Sequence, residues 1–381
     1  MKKGFLIAFG ELFLKSANVQ KIFKNKLVNN IYFFLKKNNI NFKIYLFRER
    51  IFLETQNFGK TARLLKKIFG IAWFTQSLFF KKENFDNLLE FIAKNYQKWI
   101  KEKETFAIRF KKGVNLRENR TKIIEKIAKN IKREVDLEKP KKEIFIEARK
   151  EGWYLYFKKK KGLGGLPVSS GGKVLTLISG GIDSPVASYL MAKRGAENIW
   201  LHFHSFPLVS NQSMEKVKGL AKVLLEYQPH LKIYFFPFGK IQMAIKAKVL
   251  PKYRILLYRR MMMRIGEKIA QRENCYALVT GESLGQVSSQ TLPNLEIIEK
   301  AITLPVLRPL IAMDKEEIIK TAKKIGSYQI SILPQEDCCS LFTPKHATAQ
   351  GNLKEIEKIE KNLNFKKLIK ESEKNLEILK F

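Results

Sequence analysis

An apolar strand that stops at a run of small residues and restarts as a helix is built to hold an anion. Residues 177–184, Leu-Ile-Ser-Gly-Gly-Ile-Asp-Ser, have that form. Ser179, Gly180, Gly181 and Ser184 let successive backbone N–H groups converge, and a helix over 185–194 adds its dipole and free amides. A P-loop that transfers a γ-phosphoryl group ends in Gly-Lys-Ser/Thr, and that ending is missing here. The turn therefore fits held pyrophosphate. Asp183 closes it, and its carboxylate either joins the phosphates in holding Mg²⁺ or caps the helix, a role Ser184 could share. The second chemical group is Cys338-Cys339, in the polar, Pro-bounded stretch 333–346. Free cysteines are usually buried. Two in so polar a stretch, with Lys345 and His346 nearby to stabilise a thiolate, fit reactive thiols. A vicinal disulfide is strained, and a zinc pair normally spaces its sulfurs by two residues.

Further candidates cluster around other strand ends and one helix. Arg260 and Arg264 share a helix face, Arg259 lies about 100° round from Arg260, and one of these faces is expected to meet phosphates. Met261, Met262 and Met263 read as core filling, as does Cys275. In 281–286, Gly281 and Gly285 allow close backbone approach, and Gln286 and Gln290 offer amides to a base edge or a ribose. His202 and His204 bracket Phe203 and point to one side. No carboxylate or Cys stands at ligand spacing from them, so no metal role is expected, and His202 is expected beside a nucleotide through its backbone.

These groups need rigid elements to position them. Beyond Lys173, strands (173–178, 198–203, 232–237, 277–281) alternate with helices (185–194, 212–227, 251–272, 314–325), the pattern of a doubly wound parallel sheet. Ligands in such sheets bind at the carboxyl ends of the strands, so the loops after Ile178, Phe203, Pro237 and Thr280 should line one crevice. The tail, with Leu353, Ile356, Ile359 and Leu363 at helical intervals, reads as one amphipathic helix.

The front half mixes strands and helices differently. A strand at 5–9, a helix over 19–37, strands at 42–47 and 50–54, a helix over 59–69 and a strand at 72–78 give the βαββαβ order of a ferredoxin-like unit. A second α/β unit follows, with helices over 85–100 and 119–133 and strands at 105–110, 143–148 and 152–158. Residues 111–115, flanked by Arg109 and Arg117, form a basic loop that suits phosphate-backbone contacts or is merely solvated. The expected domains are 1–79, 80–160 and 173–381, with 161–172 as a Gly-rich linker.

The chain has 381 residues, 45% of them hydrophobic, enough for two or three domains with real cores. No signal peptide or membrane span is expected, and three cysteines are no disulfide framework, which points to the cytoplasm. Lys and Arg number 72 against 36 Asp and Glu, a net charge of +36. Because acids lag so far behind bases, a nucleic acid partner explains the surplus better than compositional drift, and basic residues spread along the whole chain argue against a membrane surface.

In combination, the ferredoxin-like start, the basic α/β unit, Gly-Leu-Gly-Gly-Leu-Pro at 162–167, Ser-Gly-Gly-Ile-Asp-Ser-Pro-Val-Ala at 179–187, His-Phe-His-Ser at 202–205, Arg-Arg-Met-Met-Met-Arg at 259–264, 281–290 and Glu-Asp-Cys-Cys at 336–339 resemble the bacterial tRNA 4-thiouridine synthase (tRNA sulfurtransferase) family, over nearly the whole chain. The resemblance implies a THUMP domain at 80–160 that grips the tRNA acceptor end and a PP-loop ATP pyrophosphatase domain behind it. It implies adenylation of uridine 8 with Mg-ATP and replacement of its C4 oxygen by persulfide sulfur. Carried over, ATP contacts fall at Leu177, Ile178, Ser179, Gly180, Gly181, Asp183, Ser184, His202, Phe203, Arg259, Gly281 and Gln290. The sulfur falls on Cys338 or Cys339, with Cys338 preferred, and Cys339, Cys275 or an external donor completes a resolving disulfide. Implied partners are tRNA, a cysteine desulfurase or other persulfide or sulfide donor, and a second copy of the chain as a homodimer. Two features that some members carry are not expected here: a rhodanese domain, and the Cys-x-x-Cys pair of an iron–sulfur cluster, since Arg272 and Leu278 stand three residues from Cys275. No cluster is expected. The rival readings are another PP-loop tRNA modifier, such as a 2-thiouridine or lysidine synthetase, and a tRNA-binding module whose nucleotide site has decayed.

Overall fold

Strand β1 (Lys2–Phe9) is buried from Gly4 onward, so both its faces must be covered. Phe5, Ile7 and Phe9 enter one core, while Leu6 points into another, the period-two division of a strand. The computed structural model describes residues 1–11, 16–113, 119–334 and 348–381. These form two compact units, Met1–Pro167 and Val168–Phe381.

In the first unit, β1 is followed by α1 (Ala17–Lys37), β2 (Lys43–Leu46), β3 (Ile51–Glu54), α2 (Phe58–Leu65) and β4 (Ile71–Lys81). Strand order β2-β3-β1-β4, antiparallel throughout, is the ferredoxin-like arrangement. Helix α1 turns Leu27, Ile31, Phe34 and Leu35 onto Phe5 and Ile7, the i, i+4, i+7, i+8 stripe of an amphipathic helix. The second part adds α3 (Phe85–Asn95), β5 (Phe106–Lys112), α4 (Arg120–Ala128), β6 (Lys142–Arg149), β7 (Gly152–Tyr156) and β8 (Lys160–Lys161).

The two front parts share one sheet, which the sequence did not announce. Strand β4, expected to stop at Leu78, continues to Lys81 because Phe79 and Phe80 each find a core, one on either face. Its length lets it pair with β1 on one side and β7 on the other, giving eight strands among the described residues. The stretch expected as a linker is also tied down. β8 pairs with Trp73 and Phe74, Gly162 donates to Ala72 O (2.9 Å), and Gly164 donates to Ile71 O (2.9 Å). Of the basic loop, Val114–Glu118, including Asn115 and Arg117, lie outside the described residues, and Arg109 is paired with Glu143 at 2.6 Å.

The second unit runs β9 (Lys173–Leu177), α5 (Asp183–Lys193), β10 (Glu197–His204), α6 (Gln212–Leu224), β11 (Lys232–Pro237), α7 (Gly239–Lys248), α8 (Arg254–Arg272), β12 (Leu278–Val279), α9 (Leu292–Glu299), β13 (Val306–Leu307), α10 (Lys315–Ile325), α11 (Tyr328–Ser331), α12 (Leu353–Lys361), α13 (Phe365–Glu373) and β14 (Glu377–Lys380). Strand order β13-β12-β9-β10-β11-β14 is parallel except for β14. The chain leaves β9 toward β10 and β11, then returns to lay β12 on the other side of β9. A topological switch point therefore lies between β9 and its two neighbours, where doubly wound sheets bind ligands.

The tail departs from the single expected helix. It forms α12, α13 and then β14, which pairs antiparallel with β11 at the sheet edge. Periodicity alone does not register a four-residue edge strand, whose partner lies far away in the chain. Helix α12 brings the buried carboxylate of Glu360 onto Arg260 (2.8 Å) and Arg264 (2.8 Å), and Arg260 also donates to Ile297 O. Arg260 and Arg264 therefore serve packing against the tail and do not line the crevice. Removing one partner of a buried pair costs about 3–5 kcal/mol, whereas replacing both by apolar residues is often close to neutral. Glu360→Ala is therefore expected to lower the urea midpoint sharply, the Arg260→Met/Glu360→Leu double variant to recover most of it, and Arg264→Ala, at a half-exposed position, to cost no more than about 1 kcal/mol.

Candidate nucleotide site

At the carboxyl ends of β9, β10 and β12 lies a cavity of about 500 Å³, within the range of roughly 300–1,000 Å³ typical of small-molecule sites. Leu177, Ile178, Ser179, Asp183, Ser184, His202, Phe203, Arg259, Gly281 and Gln290 all line it. Gly180 and Gly181 sit in the turn beside it. Ile255, Tyr258, Met262 and Met263 supply an apolar wall from α8. Met262 and Met263 thus serve both the core and the cavity, a double role that reading them as core filling did not anticipate.

The turn is fixed from within. Ser184 Oγ accepts from Ser179 N (2.9 Å) and donates to Ser179 O (3.2 Å), and Ser179 Oγ accepts from Gly181 N (3.3 Å). Helix α5 begins at Asp183, two residues earlier than expected, with its free N–H groups directed at the turn. The loop leaving β12 passes it so closely that a Cβ on Gly281 would stand 2.7 Å from Ser184 N and 2.9 Å from Asp183 C. Only glycine allows these two backbones to meet.

Asp183 does not cap the helix. The N-terminus of α5 has no side-chain cap, and the carboxylate instead meets Lys315 Nζ (2.5 Å) and Gln286 Nε2 (3.1 Å). Gln286 is thereby engaged, and Gln290, through Ser283 N (3.2 Å), braces the opposite loop. His202 is held by its side chain, Nδ1 to Ile178 O (3.0 Å) and Nε2 to Ser213 Oγ (3.2 Å). Arg259 is aimed by Glu282 (2.7 Å), which also pairs with Arg308 (2.8 Å) and accepts from Thr280 Oγ1 (2.8 Å). Burial alone would raise the Glu282 carboxyl, but Arg259 and Arg308 outweigh it and hold the group below its ordinary value.

Sequence reasoning passed over Lys315 and Arg308, and placed Glu282 at the crevice without a role. Lys315 left one signal. Asp314 and Glu317 form a capping box, so Lys315 is the first residue of α10, and a cation at a helix N-terminus opposes the macrodipole. Such a placement calls for a nearby anion, here Asp183.

Cys338 and Cys339 lie outside the described residues. Cys275 is buried in the core at the amino end of the sheet, where its neighbour Tyr276 bonds to Lys173 O. That is the opposite end from the cavity, and burial pushes the thiol up to about 12. Cys275 therefore does not suit the role of a resolving thiol. Among the described residues no group of His, Cys, Asp and Glu is arranged to hold a metal by itself.

Strand order, a switch-point cavity and a phosphate turn without the Walker lysine together define a nucleotide-binding domain of the PP-loop class, carried behind a ferredoxin-like unit. Family comparison makes the assignment specific. The thiamine biosynthesis protein (ThiI) family matches residues 169–365, the ThiI ferredoxin-like domain 4–75 and the THUMP domain 82–158. A probable tRNA sulfurtransferase of Caldanaerobacter subterraneus subsp. tengcongensis is 39% identical over 97% of both chains. One from Moorella thermoacetica is 50% identical over 64% of this chain and 63% of its own. The crystal structure of a 4-thiouridine synthetase–RNA complex with bound ATP is 33% identical, covers 100% of both chains and superposes with a TM-score of 0.88. PH1313 from Pyrococcus horikoshii Ot3, 24% identical with a TM-score of 0.63 over 86% of this chain and 100% of that chain, shares the fold. The chain belongs to the ThiI family.

Two outcomes follow from this geometry. Overpacking a tight contact costs about 1–3 kcal/mol, so Gly281→Ala is expected to weaken ATP binding by about tenfold or more in calorimetric titration, with an unchanged circular dichroism spectrum. Cys275 is expected to escape thiol reagents at pH near 8 in the native protein and to be labelled only on unfolding, as peptide mass mapping would show.

Proposed function

We propose that the chain is an ATP-dependent tRNA sulfurtransferase that converts uridine 8 of tRNA to 4-thiouridine. One observation carries this reading. The lysine-free phosphate turn and an apolar wall meet in one cavity at the sheet's switch point, in a chain that aligns end to end with a 4-thiouridine synthetase. The apolar side of the cavity, Phe203, Ile255 and Met263, suits a base. The amides of the turn and of α5 suit the phosphates.

The chemistry follows from these parts. Oxygen at C4 of uracil is a poor leaving group; its attack on the α-phosphorus of ATP releases pyrophosphate and turns the oxygen into part of AMP. Pyrophosphate stays in the turn, and Arg259 and Lys315 stand where negative charge grows. Asp183, one carboxylate beside bound phosphates, fits the usual protein share of a Mg²⁺ site and would hold that ion. Mg²⁺ when bound neutralises phosphate charge. The terminal sulfur of a Cys338 persulfide then attacks C4 and AMP leaves. A second thiol, Cys339 or an external one, attacks the inner sulfur, forms a disulfide and frees the thiocarbonyl. The outer sulfur of the persulfide passes to the Cys338 thiolate from the persulfide of a cysteine desulfurase or another persulfide donor, whose own thiolate leaves, and the protein works as a homodimer. The basic front half, with a net charge of +36 on the whole chain, holds the acceptor end of tRNA through its phosphates. No helix among the described residues is long and apolar enough to cross a membrane.

The direct assay combines the protein with unmodified tRNA, ATP and a persulfide donor, and reads 4-thiouridine by its near-ultraviolet absorbance. The Cys338→Ser/Cys339→Ser variant is expected to release pyrophosphate but form no 4-thiouridine; full thiolation by it would remove the thiols from the mechanism. tRNA affinity is expected to fall steeply with salt, with a log–log slope of about −0.9 per phosphate contacted. Unchanged tRNA binding without any pyrophosphate release would instead mark a decayed binding module.

A further inference from the structure

Side chains outside the cavity fasten both flanks of the cysteine segment to walls of the cavity. On the leading side, the buried hydroxyl of Ser331 donates to Gly181 O, a carbonyl of the phosphate turn itself, at 3.2 Å. Two residues later, Leu333 O accepts from the buried ammonium of Lys216 at 2.6 Å. Lys216 rides on α6, and Ser213, one turn earlier on that helix, holds His202 at the cavity wall. Cys338 is five residues beyond Leu333, at most about 18 Å of extended chain.

The trailing side returns to the same cavity. Asn294, fully buried on α9, donates to Ser288 O (2.7 Å) and to Thr348 O (3.0 Å), and its Oδ1 accepts from Gly351 N (3.0 Å). Ser288 lines the cavity. One amide thus joins a cavity wall to the chain returning from the cysteines, and all three of its bonds would be lost on truncation. Burying an amide costs free energy unless it is fully bonded, and among the described residues these bonds go to the cavity wall and to this returning chain.

We propose that Ser331 and Asn294 are positioning residues for sulfur delivery, fastening the residues that flank the cysteine segment to the phosphate turn and to the Ser288 wall. Neither side chain lines the cavity. Sulfur transfer needs the thiol and C4 in near-contact, where small misplacements can cost about a hundredfold in rate. Adenylation involves only the nucleotide, the tRNA and the cavity, so it depends on these anchors far less. The inference rests on the proposed two-step reaction.

The test measures two products in the same single-turnover reaction with tRNA, ATP and a persulfide donor: pyrophosphate released and 4-thiouridine formed. In Ser331→Ala and Asn294→Ala the pyrophosphate burst should stay within about threefold of the unaltered enzyme, while 4-thiouridine per pyrophosphate drops by about tenfold or more. Ser331→Thr, which keeps the hydroxyl, should restore the ratio. An unchanged ratio overturns the inference, whether both products persist or both decline together as in simple destabilisation. If Asn294→Ala does not fold, Ser331→Ala and its Thr rescue decide alone. Absence of pyrophosphate from the unaltered enzyme would instead overturn the proposed function, and this inference with it.

Discussion

The meeting of two backbones at Gly281 sets the dimensions of the candidate site. Two residues beyond β12, Gly281 lies directly on the first peptides of α5, with room for no side chain between them. That contact fixes the phosphate turn against the loop that carries Glu282 and, further on, Gln286 and Gln290. The parallel sheet makes such an approach available, because adjacent β9 and β12 deliver their ends side by side at the switch point. Ser179, Asp183, Ser184, Glu282 and Gln290 are then placed by short connections from this one junction, while His202 arrives on β10 and Arg259 on α8.

Charge is managed by a recurring device. Glu282 lies between Arg259 and Arg308, Glu360 between Arg260 and Arg264, and in the first unit Glu147 between Arg50 and Arg149. In a chain with twice as many basic as acidic residues, a buried carboxylate shared by two guanidiniums satisfies its oxygens and orients both cations. A lone buried ion of either sign would be far more costly. The device is used for packing at Glu360 and Glu147 but for aiming at Glu282, since Arg259 alone of these arginines lines the cavity.

The parts of the site that depend on local chemistry were readable. Small residues between a strand and a helix mark a phosphate turn, and alternation of strands with helices requires a parallel sheet whose carboxyl ends converge. From those facts the meeting of Ser179, His202, Phe203, Gly281 and Gln290 follows. Side-chain direction was less legible. Helical periodicity placed Arg259 and Arg260 on different faces without saying which face met the cavity, because that depends on Glu360 arriving from the tail. Lys315 and Asp183 are brought together only by tertiary packing. The fusion of the front half into one sheet was hidden by the same limit: β4 looks like the end of one unit until β7 pairs with it. Cys338 and Cys339 are known by residue type and neighbours alone, and their chemistry rests on the sequence.

The central claim is that this cavity activates the uracil oxygen by giving it to AMP. The most direct measurement places a heavy-oxygen label at C4 of uridine 8, runs one turnover with ATP and a persulfide donor, and follows the label by mass spectrometry. The account predicts that the label appears in the phosphate of AMP, one atom for each 4-thiouridine formed. Thiolated tRNA accompanied by unlabelled AMP would contradict it.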